Sequence, residues 1–292
     1  MKPTRALALL ALTTAVSGVL GCTPSAAPMT PAAESTVRPA TRSATVVADS
    51  TATASSADSG EPLWTHVESR PADVQEAAKK RIFFGHQSVG GNVMKGVTEL
   101  YQANGLGRPP FYDITDGTAS LPSSGGVFAH AFVGRNGDPL AKLADFDAIL
   151  RDGVAKQVYV ALLKFCYADV RAATDVDALF AEYRDVLAAL ERDYPKVTFL
   201  HATSPLKTTR PEDNLARAQF NTLIRAEYAG TGRLWDIAAV ESTTPEGDRV
   251  SGMVAGARYD ALYPGFSTDG GHLNPAGAEA AATPLLRLVA QS

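Results

Sequence analysis

From residue 62 onward the chain switches between short unbroken apolar runs and longer stretches whose apolar residues return every third or fourth position. "RIFFGH" predicts a strand buried on both faces, and Val89, Val93, Val97 and Leu100 then recur at helical spacing. "PFYDIT" predicts a shorter strand, "QVYVALLKF" the strongest one in the chain, and "VTFLHATSP" another. "PLAKLADFDAILRDG" predicts a helix ended by Gly153. "DVDALFAEYRDVLAALERDYP" predicts one with Val176, Leu179, Phe180, Tyr183, Val186, Leu187 and Leu190 on one side. "PEDNLARAQFNTLIRAEYAG" predicts a helix capped by Gly230, and "LWDIAAVE" the last strand. "NPAGAEAAATPLLRLVAQ" predicts a terminal helix, with Asn274 as its N-cap and Pro275 at its first position. The glycine-rich "DGTASLPSSGGVFAHAFVGRNGDP" is too irregular to predict regular structure. Apolar strands separated by amphipathic helices imply an α/β fold, with a parallel sheet covered on both faces.

The first 61 residues follow another pattern. Lys2 and Arg5 precede the apolar run "ALALLALTTAVSGVL", which stops at Gly21-Cys22. A basic flank and a short apolar core read as an export signal over residues 1–21, short for a membrane span. "VLGC" resembles the lipobox of bacterial lipoproteins, which implies that Cys22 is lipidated and anchors the protein to a membrane. Residues 22–61 are dominated by Ser, Thr, Ala and Pro with no apolar period. Such a segment cannot bury enough surface to offset the entropy of ordering, and reads as a disordered tether. Residues 62–292 are then one domain, placed in the cell envelope and facing the periplasm or exterior. A formal net charge of −4 offers no basic excess for nucleic acid. Cys166 is the domain's one cysteine, so no disulfide forms within it, and a lone cysteine reads as a small buried hydrophobe.

Active sites in parallel sheets lie beyond the carboxyl ends of the strands. Ser88 stands there, between the first strand and the first helix, among backbone N–H groups that can hold an oxyanion. Gly90 would let a substrate approach the backbone, although a serine at this junction also suits a helix cap. Near the other end, "STDGGHLNPAG" sets Asp269 three residues before His272. An imidazole that accepts the serine proton, with a carboxylate to fix its tautomer, is what a hydroxyl nucleophile requires.

Together these motifs resemble the SGNH/GDSL hydrolase superfamily over roughly residues 80–290, most specifically in the Asp-x-x-His-Leu-Asn-x-x-Gly tail. The resemblance implies a flavodoxin-like three-layer αβα sandwich and ester hydrolysis through an acyl-serine. It implies Ser88 as nucleophile, His272 as base and Asp269 as its partner, with no metal or organic cofactor. "GHQSVG" departs from the usual Gly-Asp-Ser-Leu and is nearer the Gly-Gln-Ser of carbohydrate-esterase branches. With the envelope location, that points to O-acyl groups, such as acetyl, on an acylated carbohydrate or other small ester. The family's Gly-x-Asn-Asp after the third strand is missing, because this chain has Phe165-Cys166-Tyr167-Ala168-Asp169 there. Asn136 and Gly137 are the candidate replacement oxyanion donors, though "NGDP" reads equally as a turn. His86 is expected to shape the pocket, and Lys164 and Asp169 to line the cleft. His130 and His201 are expected to be structural. A zinc site of His86, His272 and Asp269 lacks metal-ligand spacing. The reading is a membrane-tethered, exported serine esterase. Its rivals are an O-acyltransferase using the same triad and a glycan-binding lipoprotein that keeps the fold without catalysis.

Overall fold

The computed structural model describes residues 70–115, 117 and 120–292. The export signal, Cys22 and the tether lie outside the described residues. Six strands form a parallel sheet: β1 (Arg81–His86), β2 (Phe111–Asp113), β3 (Val127–Phe132), β4 (Val160–Leu163), β5 (Thr198–Ala202) and β6 (Leu234–Trp235). Their spatial order is β2-β3-β1-β4-β5-β6, which puts β1 near the centre with β3 and β4 as its neighbours. Alternate side chains of β1 feed two cores. Ile82 and Phe84 pack with α1 (Pro71–Ala77), α2 (Ser88–Ala103) and α7 (Pro275–Gln291). Phe83 packs with α3 (Pro139–Arg151), α4 (Val176–Asp193) and α5 (Pro211–Tyr228). The fold is the expected three-layer αβα sandwich. Among the described residues no helix is long and apolar enough to cross a membrane.

The contact that matters most for the site joins α2 to α7. Val89, Val93, Val97 and Leu100 of α2 are buried against Ala278, Ala281, Ala282, Leu285 and Val289. Each such α2 side chain contributes about 1.5–3 kcal/mol by leaving water. The alanines and Gly96 let the helices approach closely: a Cβ on Gly96 would meet Ala278 and Glu279 backbone, 2.8 Å from the latter's nitrogen. This crossing brings together the segments that enter the two helices.

The terminal helix starts as expected, with Asn274 Oδ1 accepting the Gly277 N–H at 3.0 Å and Pro275 at the first position. Four expectations need correction. The glycine-rich stretch contains β3, whose apolar "VFAHAF" is short enough to be masked by the glycines around it. "LWDIAAVE" gives only the two residues of β6. Asp236 then caps the Ala239 N–H and turns the apolar run into α6 (Ile237–Glu241). Helix α5 is closed by a 3₁₀ turn over Ala229–Thr231, with the left-handed cap at Gly232 rather than Gly230. An antiparallel hairpin, β7 (Ser251–Val254) with β8 (Ala257–Asp260), was not foreseen.

Candidate active site

Strand β1 runs into α2 without a capping side chain. Gln87 occupies the cap position, and its amide donates to the Val133 and Gly134 carbonyls at 2.8 and 3.0 Å. Ser88 is therefore the first helical residue, and its hydroxyl is free for another partner. Ser88 Oγ lies 2.9 Å from His272 Nε2, and His272 Nδ1 lies 2.5 Å from Asp269 Oδ2. A carboxylate on Nδ1 assigns the proton to that nitrogen and leaves the Nε2 lone pair facing the serine hydroxyl. Residues 184 positions apart thus meet in a hydrogen-bonded chain.

The loop before α7 is built to hold this imidazole. Asp269 Oδ1 accepts the N–H of Gly271 at 2.9 Å and of His272 at 2.8 Å. The bond from the His272 ring, with those backbone donors, holds the Asp269 carboxyl well below the usual range. Ser267 Oγ accepts the N–H of Gly270 and Gly271 and donates to the His272 carbonyl at 2.6 Å. Asn92, one turn along the helix that Ser88 opens, accepts the Leu273 N–H at 3.2 Å. Tyr167 stands edge-on to His272, centroids 5.8 Å apart.

Solved structures similar to this chain include a protein of Bacteroides fragilis NCTC 9343 named as an acylhydrolase, at 13% identity. It covers 79% of this chain and 99% of that one, with a TM-score of 0.47. A GDSL-like lipase from Bacteroides thetaiotaomicron VPI-5482 is 14% identical over 75% of this chain and 98% of its own, with a TM-score of 0.46. A Desulfitobacterium hafniense DCB-2 protein named as lipolytic, of the G-D-S-L family, is 10% identical over 72% and 99%, with a TM-score of 0.45. No protein-family model and no curated protein matches the chain. Likeness this distant concerns the fold alone, so the chemistry is read from the chain's own atoms.

The backbone N–H groups of Ser88 and Val89 meet no acceptor among the described residues, whereas Gly90 and Gly91 donate to the Gln87 carbonyl. Those two free donors sit at the positive end of a 16-residue helix, beside the serine oxygen. Asn136 is exposed in the loop after β3, and its Oδ1 accepts from Lys142 Nζ at 3.0 Å. That bond turns the amide NH₂ the other way, where it meets no acceptor among the described residues. Gly137 differs from expectation: its N–H donates to Asp169 Oδ1 at 2.8 Å and is spent. Asp169 also accepts from Lys142 Nζ and from the Cys166 N–H, each at 2.6 Å. The Lys142–Asp169 pair is wholly buried, so it binds α3 to the loop after β4 rather than lining a cleft. Lys164 is buried too and donates to the Phe165 carbonyl at 3.0 Å, while burial pushes its pKa down.

Gly90 is not a substrate gap. It faces the His86 ring so closely that a Cβ would lie 2.7 Å from Nδ1. His86 itself is buried under α2, with Nδ1 on the Gln87 carbonyl at 2.8 Å and Nε2 on His130 at 3.3 Å. It shapes the strand-to-helix turn from below rather than the pocket. With the His86 and His272 nitrogens each occupied by other partners, the two rings share no common point for zinc. His201 is structural, buried between the Tyr183 hydroxyl and the stacked Tyr228 ring. Cys166 is buried and unpaired.

The sequence reading missed Lys142, Tyr167, Asn92 and Ser267. Ser267 carried a local signal, a hydroxyl two residues before Asp269 in a turn. A lysine in a helix normally reads as solvated face, so Lys142 carried none.

Proposed function

We propose that this chain is a serine esterase. The observation that carries the reading is the Ser88–His272–Asp269 chain of hydrogen bonds at 2.9 and 2.5 Å, set at the carboxyl edge of the sheet. His272 takes the Ser88 proton as Oγ attacks the ester carbonyl, and Asp269 stabilises the imidazolium that forms. The oxyanion is held by the free N–H groups of Ser88 and Val89 and by the Asn136 amide, with Gly137 excluded because its donor serves Asp169. His272 then protonates the leaving alcohol, and water, activated by the same imidazole, releases the acyl group. Loss of the family's usual third-strand loop is offset by the Lys142-held Asn136. The basic–apolar leader and "VLGC" support a membrane-tethered, exported enzyme, and the Gly-Gln-Ser-like motif supports O-acyl groups on a glycan as substrate. The test is a panel of short-chain nitrophenyl esters with wild type and Ser88→Ala. Turnover that vanishes in the variant supports the esterase. Equal turnover in both, or none in either, removes it.

A further inference from the structure

The half-buried Tyr167 ring carries a cation on its face: Lys207 Nζ lies 4.7 Å from the centroid. Among the described residues this ammonium has no carboxylate partner. It reaches the triad loop, since a Cβ built on Gly271 would lie 3.3 Å from Lys207 Nζ and 2.9 Å from the Tyr167 ring. Four residues beyond Tyr167, the Arg171 guanidinium lies against Gly137 of the loop after β3, 2.7 Å from where its Cβ would stand. Arg171 donates to the Ala168 carbonyl at 2.7 Å and likewise meets no carboxylate among the described residues.

Both Tyr167 and Lys207 are held from beneath. Arg217, 1% exposed, donates twice to the Tyr167 carbonyl, at 3.0 and 2.6 Å. It also donates to Asn214 Oδ1 at 2.5 Å. Asn214 grips the Lys207 backbone from both sides, accepting its N–H at 3.2 Å and donating to its carbonyl at 2.7 Å. Burying a guanidinium costs free energy, and so does ordering a lysine, yet the triad needs neither. The nearby acids are engaged elsewhere: Asp269 holds His272, and Asp213 accepts from the Ala172 N–H while lying 3.8 Å from Arg217. A chain of net charge −4 thus presents an unneutralised ammonium beside the loop that carries its imidazole.

We propose that Lys207, seated on Tyr167, recognises a carboxylate or phosphate on the alcohol half of the ester. The substrates are then acyl esters of acidic alcohols. The alcohol half is the one selected because His272, which Lys207 adjoins, must protonate the departing oxygen. This inference rests on the esterase reading. Its test compares kcat/KM for the acetate esters of 4-hydroxybenzoate, 4-hydroxyphenyl phosphate and neutral 4-hydroxybenzamide. Wild type, Lys207→Met, Lys207→Glu and Lys207→Arg are assayed at low and high salt. Wild type should favour at least one anionic ester, and that ratio should fall about tenfold in Lys207→Met. It should fall further in Lys207→Glu, recover in Lys207→Arg and shrink with salt. Whichever anion shows the effect distinguishes carboxylate from phosphate. A ratio that is the same in wild type and Lys207→Glu overturns the proposal while leaving the esterase intact. If wild type hydrolyses none of the esters, the esterase reading fails by itself. Calorimetric binding of 4-hydroxybenzoate and 4-hydroxyphenyl phosphate then decides the anion site, and binding unaffected by Lys207→Glu, or absent, overturns it.

Discussion

Adding one methyl group at Gly96 tests the link between helix packing and chemistry. The new Cβ would lie 2.8 Å from Glu279 N and closer still to the Ala278 carbonyl, and both are backbone atoms that no rotamer change can move. Restoring ordinary contact requires α2 and α7 to part by on the order of 1 Å. Overpacking of this kind costs about 1–3 kcal/mol, against which alanine's helix preference over glycine returns about 1 kcal/mol. Gly91 supplies the control, because it lies in the same helix and its added Cβ meets nothing within 4 Å. Gly91→Ala should therefore stabilise by about 1 kcal/mol, while Gly96→Ala gains nothing or destabilises by up to about 2 kcal/mol. Ser88 and His272 enter these same two helices, so the same parting stretches their 2.9 Å bond beyond hydrogen-bonding range. A misplacement of that size costs roughly 100-fold in rate. Urea denaturation and phosphonate inactivation rates, measured where both variants are folded, read the two effects. If Gly96→Ala is as stable as Gly91→Ala and is inactivated at the wild-type rate, the reasoning is wrong.

Other perturbations reach separate parts of the site. Asn136→Ala should lower turnover about 100- to 1000-fold in steady-state ester assays and cost about 1–3 kcal/mol of stability, because the buried Lys142 ammonium loses one acceptor and keeps Asp169. Asp169→Asn strands the Lys142 ammonium in a wholly buried place and should destabilise by about 3–5 kcal/mol in urea titrations, with Lys142→Met added to it recovering part of the loss. Burial holds His86 at about 4, against about 6.5 when unfolded. Between those values the unfolded chain binds a proton that the native one refuses, so stability is lost as pH falls from about 6.5 to 4, by on the order of 3 kcal/mol. Denaturation at stepped pH should show that slope, reduced in His86→Asn; His130 and His201, also lowered by burial, keep part of it.

The parts of the molecule that follow from one-dimensional pattern were legible. Continuous apolar runs gave β1, β4 and β5 because a sheet covered on both faces needs them, and Asn274-Pro275 marked the start of α7 because that cap is local. β3 was hidden because six strand residues lie between glycines whose turns dominate any window. α6 was misread because an apolar run does not reveal its period in five residues, although Asp236 before it was a cap signal. Within the site, Ser88, His272 and Asp269 could be paired because each stands in a local motif. The buried Lys142–Asp169 pair, the spent Gly137 N–H and the Arg217–Asn214 support beneath Tyr167 could not. Each depends on which loops the sheet order makes neighbours, and side-chain type alone does not carry that.

The most direct measurement is fluorophosphonate labelling of the intact chain, with the modified residue located by peptide mass spectrometry. The account predicts a single stoichiometric adduct on Ser88 that forms at least roughly 1000-fold more slowly in His272→Ala. An adduct elsewhere, no adduct, or unchanged labelling without the imidazole would contradict it.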